Sequence, residues 1–239
     1  MGEAKGRLLY ADILRTITII AVFIIHVGGV RWYPDAGITG TMEWYTVNAY
    51  MVSLRWCIPV FFMLSGIIIL DPKYDLTINK LYTKSLPRLV CALLFWAIMY
   101  RILSPVFLLV SEGRSITVDD FTRIYEEIFF GMPWHHLWFM YAIISVYILA
   151  PLIRVFTAHA EKKHYVYFLI LFFIFGSVIP KISAANNITF SFRIAELSSY
   201  TGYFILGYFF AKYELTSLQK KILYVVGIVT WIWTVVSST

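Results

Sequence analysis

Charged residues and cysteines are both scarce in this sequence. Asp, Glu, Lys and Arg make up 14% of its 239 residues, whereas they make up about a quarter of an ordinary soluble domain. This composition argues against a soluble globule. The only cysteines, Cys57 and Cys91, lie within apolar segments, so the sequence indicates neither a disulfide framework nor a cysteine metal site. We predict no metal site and no resident cofactor.

Apolar residues are correspondingly abundant. They account for 60% of the chain, with 17 Tyr, 19 Phe and 8 Trp among them, as is typical of membrane proteins. A spanning helix needs roughly 20 apolar residues. Seven segments approach or exceed this length, at 13–31, 47–70, 86–110, 136–156, 165–180, 199–211 and 222–237. We predict an all-α, polytopic transmembrane helix bundle in the lipid bilayer, with about seven spans and a single domain over residues 1–239.

The basic residues are distributed as in a membrane protein. The net charge is +6, but Lys and Arg are dispersed between apolar runs, so we predict no nucleic-acid partner. Cytoplasmic connections accumulate Lys and Arg. Most of the Lys and Arg residues between the predicted spans lie in connections on the same side of the membrane as the N-terminus. We therefore predict a cytoplasmic N-terminus, with residues 13–31 acting as a retained signal anchor.

The longest polar connection, residues 111–134, has helical periodicity. Val118, Phe121 and Tyr125 recur on one side, opposite Asp119 and Glu126. This pattern predicts an amphipathic helix at the outer membrane interface.

Ionisable side chains inside a span cost about 2.5 kcal/mol or more at the helix centre, so they indicate function. Arg15 and His26 lie three helical turns apart on one face, separated by about 16 Å along the axis, and Asp12 lies on the same stripe. Lipid offers them no hydrogen-bond partner, so we expect the stripe to line a polar cavity. Two alternatives remain: Arg15 extends to the cytoplasmic interface beside Asp12, and His26 has a packing role.

Arg55 is a third ionisable residue within a predicted span. It lies at a depth comparable to that of His26, so we expect the two to be neighbours. A nearby cation would favour neutral imidazole, which can take a proton from a hydroxyl. Alternatively, Arg55 binds backbone carbonyls near the kink expected at Pro59.

Four segments resemble the acyltransferase-3 family of membrane O-acyltransferases. Arg15 and His26, with ten residues between them, resemble its arginine-x10-histidine motif, and Asp12 occupies the preceding D-x-x-R position. Residues 55–66 read RWCIPVFFMLSG and resemble R-x-x-x-P-x-F-F-x-x-S-G. The segment from His136 begins HLWFMY and resembles the branch that contains the enterobacterial common antigen O-acetyltransferase. A weaker match is GYFILGY at 202–208. Family members usually have about ten spans, so we expect this chain to be incomplete at its C-terminus.

The resemblance implies an enzyme of the bacterial cytoplasmic (inner) membrane. It would transfer an acyl group, most often acetyl, from cytoplasmic acetyl-CoA or another acyl-CoA to a hydroxyl on a cell-surface or lipid-linked carbohydrate. Arg15 and His26 are the catalytic candidates. His26 would act either as general base on the acceptor hydroxyl or as a covalent acyl relay, and the sequence does not separate these routes.

The remaining candidates would bind the two substrates. Arg15 and a basic stripe at the inner end of the third span would hold the phosphates of the donor; the stripe comprises Lys80, Lys84 and Arg88, which also fit a topology-determining role. The predicted substrate pocket consists of Asp12, Arg55, Ser65, His136 and Trp138. Ser65-Gly66 lacks a nucleophile elbow and indicates a close helix contact instead, as do Gly202 and Gly207.

Two other classes of function also fit a helical membrane bundle. A translocator of a small solute or of an acyl or glycan group would also carry intramembrane Arg and His, but no paired broken helices or inverted repeats are evident. A receptor-like bundle is disfavoured by the cytoplasmic N-terminus. Membrane acyl transfer is the prediction, and translocation is the alternative.

Overall fold

The computed structural model describes residues 9–32, 39–74, 77–113, 117–129, 137–188 and 194–238. Within these residues the chain forms helices and no strand, so the predicted all-α fold is confirmed. In chain order the helices are α1 (Leu9–Trp32), α2 (Met42–Leu54), α3 (Cys57–Leu70), α4 (Ile78–Lys80), α5 (Leu86–Glu112), α6 (Val118–Phe129), α7 (Trp138–His159), α8 (Lys162–Phe173), α9 (Ile179–Asn186), α10 (Ile194–Lys212) and α11 (Ser217–Ser238).

Six stretches of the described helices are long and apolar enough to cross a membrane. They are Leu9–Gly29, Met42–Leu70, Ile78–Arg101, Trp138–His159, Lys162–Asn186 and Ser217–Ser238. The sequence predicts about seven, and the difference lies at residues 199–211, within α10. This helix contains Glu196, Ser198 and Ser199 in its first half, which shorten its apolar part. The chain is a multi-pass helical membrane protein.

The chain divides into two compact units. The first, which we call the N/C unit, contains Met1–Asp71 and Thr157–Thr239, and the second, the middle unit, contains Pro72–Phe156. The N/C unit therefore holds α1–α3 and α8–α11, and the middle unit holds α4–α6 and most of α7. The prediction of a single domain over 1–239 stays a prediction.

The core of the N/C unit is built on the contact between α3 and α10. Gly66 of α3 lies against the backbone carbonyl of Phe204, and Gly207 of α10 lies against the backbone of Met63. A Cβ atom at either glycine would overlap the opposite helix. Small residues allow transmembrane helices to approach in this way. The close helix contacts predicted at these two glycines are confirmed.

Helix α1 runs antiparallel to α2 and α3. Ala11, near its start, is buried in a cluster with Leu64 and Ile67 of α3. Gly28, near its end, lies under the ring of Tyr50 of α2. Early residues of α1 therefore contact late residues of the α2–α3 pair, and late residues contact early ones.

Pro59 interrupts the second predicted span. It has no N–H to donate to the carbonyl of Arg55, so the α-helical pattern fails at that carbonyl. The Arg55 N–H donates to the Val52 carbonyl at 3.2 Å, and the Val60 N–H donates to the Trp56 carbonyl at 3.2 Å. The kink expected at Pro59 is thus a break in the α-helical hydrogen bonds at residues 55 and 56, one turn before the proline, where the backbone dihedrals stay helical.

Two π-helical turns also precede prolines. Leu81–Ser85 precedes Pro87, and Ile174–Val178 precedes Pro180. In such a wider turn, a carbonyl that has lost its usual N–H donor can accept a hydrogen bond from an N–H one residue further along the chain. Both long helical stretches therefore continue past their prolines.

The described core of the middle unit lies between α5 and α7. Leu93 and Ala97 of α5 are buried together with Leu137, which precedes α7. The hydroxyl of Tyr82 donates to the carbonyl of Ile148 at 2.8 Å. The helix predicted within the connection 111–134 is confirmed as α6.

Candidate active site

Helix α1 has a packed face bordered by a stripe of ionisable residues. Ala11, Thr18 and Ala21 are buried on the packed face. Because residues 9–32 form one continuous helix, Arg15 and His26 lie three turns apart along one flank of that face. The helix therefore keeps the predicted stripe in register over most of its length.

The lower end of this stripe is an ion pair. Arg15 Nη1 lies 3.7 Å from Asp12 Oδ1, and the two side chains are 37% and 31% exposed. A pair with this much solvent access contributes at most about 1 kcal/mol to stability. Its clearer consequence is geometric, since the carboxylate restrains the guanidinium. The hydroxyl of Thr18 also donates to the Arg15 carbonyl at 2.9 Å, which fixes the backbone at this position.

The upper end of the stripe carries His26, whose side chain is exposed. The contact between Gly28 and Tyr50 gives a common level for α1 and α2. From that level, His26 lies about 3 Å toward the start of α1. Arg55 lies about 7 Å away in the same direction along α2. Their depths differ by less than one helical turn, and direct contact between the two side chains stays a prediction.

Arg55 occupies the break between α2 and α3. The indole N–H of Trp231 on α11 donates to the nearby carbonyl of Ser53 at 3.1 Å. Helix α11 therefore packs against the end of α2, beside the interrupted hydrogen bonds at Arg55.

Ser65 lies within the packed part of α3. Its hydroxyl donates to the Phe61 carbonyl at 3.0 Å, and its neighbour Gly66 lies against α10. This geometry agrees with the interpretation of Ser65-Gly66 as a helix contact. Its role in the substrate pocket stays a prediction.

The other predicted site residues belong to the middle unit. The three predicted donor-binding residues of this unit are all exposed: Lys80, Lys84 and Arg88. Trp138 begins α7, is half-buried and meets Phe139 edge to face at 6.2 Å. His136 lies outside the described residues, as does His135.

Two residues beside the stripe were not found by sequence reasoning. Thr18 is fully buried on the packed face next to Arg15, and Tyr50 covers Gly28 two residues after His26. The sequence pair Gly28-Gly29 indicates that a bulky side chain packs against this part of α1. It does not identify Tyr50 as that side chain.

The stripe offers two kinds of chemistry at opposite ends of α1. A neutral imidazole can accept a proton or attack an acyl carbon. An arginine restrained by one carboxylate keeps several N–H donors for an anion. Within the part of the chain that the structure describes, no group of three or more His, Cys, Asp or Glu side chains is placed to hold a metal ion.

Comparison with known protein families identifies the family of the chain. The family model of the acyltransferase-3 family, described as an acyltransferase domain, matches residues 8–238. No curated protein and no solved structure matches the chain significantly. The matched range contains every predicted site residue, from Asp12 to Trp138. Because it also covers nearly the whole chain, the protein is a membrane acyltransferase and belongs to the acyltransferase-3 family.

Proposed function

We propose that this protein is an O-acyltransferase that moves an acyl group, most often acetyl, from cytoplasmic acyl-CoA to a hydroxyl of a cell-surface or lipid-linked carbohydrate. The observation that carries the proposal is the stripe on α1, with the imidazole of His26 above an arginine that Asp12 restrains. Acyl transfer needs a group that handles the acceptor proton and a cation that holds a phosphate-bearing donor. The stripe supplies both residue types.

His26 is the proposed catalytic residue. As a general base, it takes the proton of the acceptor hydroxyl while the alcohol oxygen attacks the thioester carbonyl. The carbon–sulfur bond then breaks, and the thiolate of CoA receives the proton. As a covalent relay, the imidazole first attacks the thioester, and CoA leaves as the thiol with the imidazole proton. The acceptor oxygen then takes the acyl group, and the hydroxyl proton returns to the imidazole.

The remaining residues have supporting roles in this proposal. Arg15 contacts the donor and is oriented by Asp12, while Lys80, Lys84 and Arg88 attract the donor phosphates. Arg55 acts near His26, at the break between α2 and α3. Ser65, His136 and Trp138 stay candidates for contact with the acceptor, on the strength of the family resemblance. The nearest branch would be that of the enterobacterial common antigen O-acetyltransferase, on the strength of the HLWFMY segment.

The proposed location is the bacterial cytoplasmic membrane, with a cytoplasmic N-terminus. This orientation would put Arg15 near the cytoplasmic donor and His26 deeper in the membrane. The donor would then enter from the side on which acyl-CoA is made.

The test uses the purified chain in proteoliposomes supplied with acetyl-CoA and a glycan acceptor. We expect CoA release that depends on the acceptor. We expect His26→Ala to reduce the rate of this release by about 10²- to 10⁴-fold, the loss typical of a missing general base. His159→Ala is the matched histidine control, because His159 lies at the far end of α7. Retained activity in His26→Ala at equal protein levels would exclude the proposed role.

Translocation is the second candidate function, because the α-helical hydrogen bonds are interrupted beside Arg55 within a spanning stretch, and irregular spanning helices form binding sites in many transporters. The same proteoliposomes separate the two functions. Uptake of labelled solute without CoA release would support translocation, whereas CoA release that requires the acceptor supports the enzyme.

A further inference from the structure

A lysine at the end of α10 is held in place by buried oxygen atoms. Lys212 Nζ donates to the Thr157 carbonyl at 3.2 Å and to the Tyr165 hydroxyl at 3.3 Å. The Tyr165 hydroxyl itself donates to the Thr157 carbonyl at 2.8 Å. Thr157 and Tyr165 are 2% and 0% exposed. The ammonium group of Lys212 is thus fixed at the junction of α7, α8 and α10.

Aromatic rings surround this ammonium group. Its nitrogen lies 5.1 Å from the ring centroid of Tyr165, 5.7 Å from that of Tyr208 and 5.5 Å from that of Tyr213. Lys162 Nζ lies 5.7 Å from the same Tyr213 ring. Two ammonium groups from positions fifty residues apart in sequence therefore share one tyrosine.

The two lysines are not neutralised by the protein. Glu161, which precedes Lys162, pairs with Lys163 at 2.9 Å, and Glu214 is the acidic residue closest in sequence to Lys212. Neither Lys162 nor Lys212 forms an ion pair with a carboxylate of the described residues. Lys162 is also the first residue of α8, where the helix dipole disfavours a cation. Both lysines are exposed, so their charges are available to a bound anion.

A structural role accounts for Lys212 but not for Lys162. Lys212 bonds to a carbonyl in the last turn of α7, where a cation is favourable. Within the described helices, Lys162 makes no such bond and shares the Tyr213 ring with Lys212. An anion bound at the Tyr213 ring would draw on both ammonium groups, whereas the N-terminus of α8 is already capped by Glu161.

We propose that Lys162, Tyr213 and Lys212 form a binding site for a phosphate ester. The phosphate would belong either to an anionic lipid headgroup or to a soluble nucleotide such as the phosphate-bearing part of an acyl donor. The site does not depend on the assignment of His26 or on the transfer reaction. It also lies apart in sequence from the stripe of Lys80, Lys84 and Arg88.

Two phosphate probes test the site and identify the source of the phosphate. The full chain in neutral detergent is titrated with adenosine 3′,5′-bisphosphate by thermophoresis. In parallel, native mass spectrometry compares retention of phosphatidylglycerol with that of phosphatidylcholine. Binding of the bisphosphate indicates a soluble ligand, and selective retention of phosphatidylglycerol indicates a lipid; either result supports the site.

The matched variants are Lys162→Gln and Lys163→Gln, which remove the same charge from adjacent positions. We expect Lys162→Gln to lower the affinity for the probe that binds by about tenfold, the effect of losing one charge-assisted contact. Lys163→Gln should change the affinity by less than about twofold, because its ammonium pairs with Glu161. The proposal is overturned if neither probe binds or if both variants weaken binding equally.

Discussion

Two glycines determine how closely α3 and α10 approach, and one of them provides a sharp test of the packing. Gly207→Ala would place a methyl group against the backbone of Met63, which cannot move as a flexible side chain would. Overpacking of this kind costs about 1–3 kcal/mol. We expect the free energy of unfolding in detergent micelles, measured by far-UV circular dichroism against SDS, to fall by that amount.

Gly227→Ala is the matched control for this substitution. No atom lies within 4 Å of the position that its Cβ would take, and alanine is favoured over glycine in a helix by about 1 kcal/mol. We expect unchanged or slightly increased stability. Equal destabilisation by the two substitutions would contradict the close contact between α3 and α10.

Single residues differ in how clearly the sequence marks them. Arg15 and His26 are evident because an ionisable residue inside an apolar run has few structural explanations. Gly66 and Gly207 are evident for the related reason that small residues permit helix contact. No sequence pattern of this kind indicates the contact between Lys212 and Thr157. This contact depends on the meeting of the ends of α7 and α10 with the start of α8, which no local pattern encodes.

The junction of α2 and α3 likewise has one feature that the sequence marks and one that depends on packing. Pro59 predicts an irregular helix because it lacks an N–H, and the break lies where the unpaired carbonyl lies, at Arg55. The partner of the nearby Ser53 carbonyl is Trp231, on a helix far along the chain. Sequence reasoning therefore finds the disruption but does not find the helix that packs beside it.

Helix α6 is expected to lie flat on the bilayer. Val118, Phe121 and Tyr125 are exposed together along one side, and Asp119 and Glu126 occupy the other. A helix with this division that connects two spanning helices can bury its apolar side at the lipid interface.

Spin labels on the two sides of α6 test this orientation. In a chain whose two cysteines are replaced by alanine, Phe121→Cys and Glu126→Cys are labelled with a nitroxide in liposomes. We expect the label at 121 to be more accessible to oxygen than to a water-soluble nickel chelate, and the label at 126 to show the reverse. Equal nickel accessibility at both positions would mean that α6 stands clear of the lipid.

The helices of the N/C unit also determine how often the chain crosses the membrane. Lys212 contacts the Thr157 carbonyl, so α10 ends where α7 ends and where α8 begins. The stretch Lys162–Asn186 leads away from that end over 25 residues, about 37 Å of helix. Helix α10, with 19 residues or about 28 Å of length, must therefore return toward the same end. This geometry supports a seventh pass, although α10 is less apolar than the six other spanning stretches.

Seven passes make a definite prediction about which connections share a side of the membrane. The connections at 160–161 and 213–216 should lie together, and the start of α2 should lie opposite, since α1 crosses between its two ends. In a chain without its native cysteines, we expect an impermeant maleimide to label Ala160→Cys and Glu214→Cys only in inverted vesicles, and Met42→Cys only in right-side-out vesicles. Labelling of positions 160 and 214 from different sides would contradict the return of α10. Labelling of all three positions from the reverse sides would instead preserve the fold and overturn the cytoplasmic N-terminus.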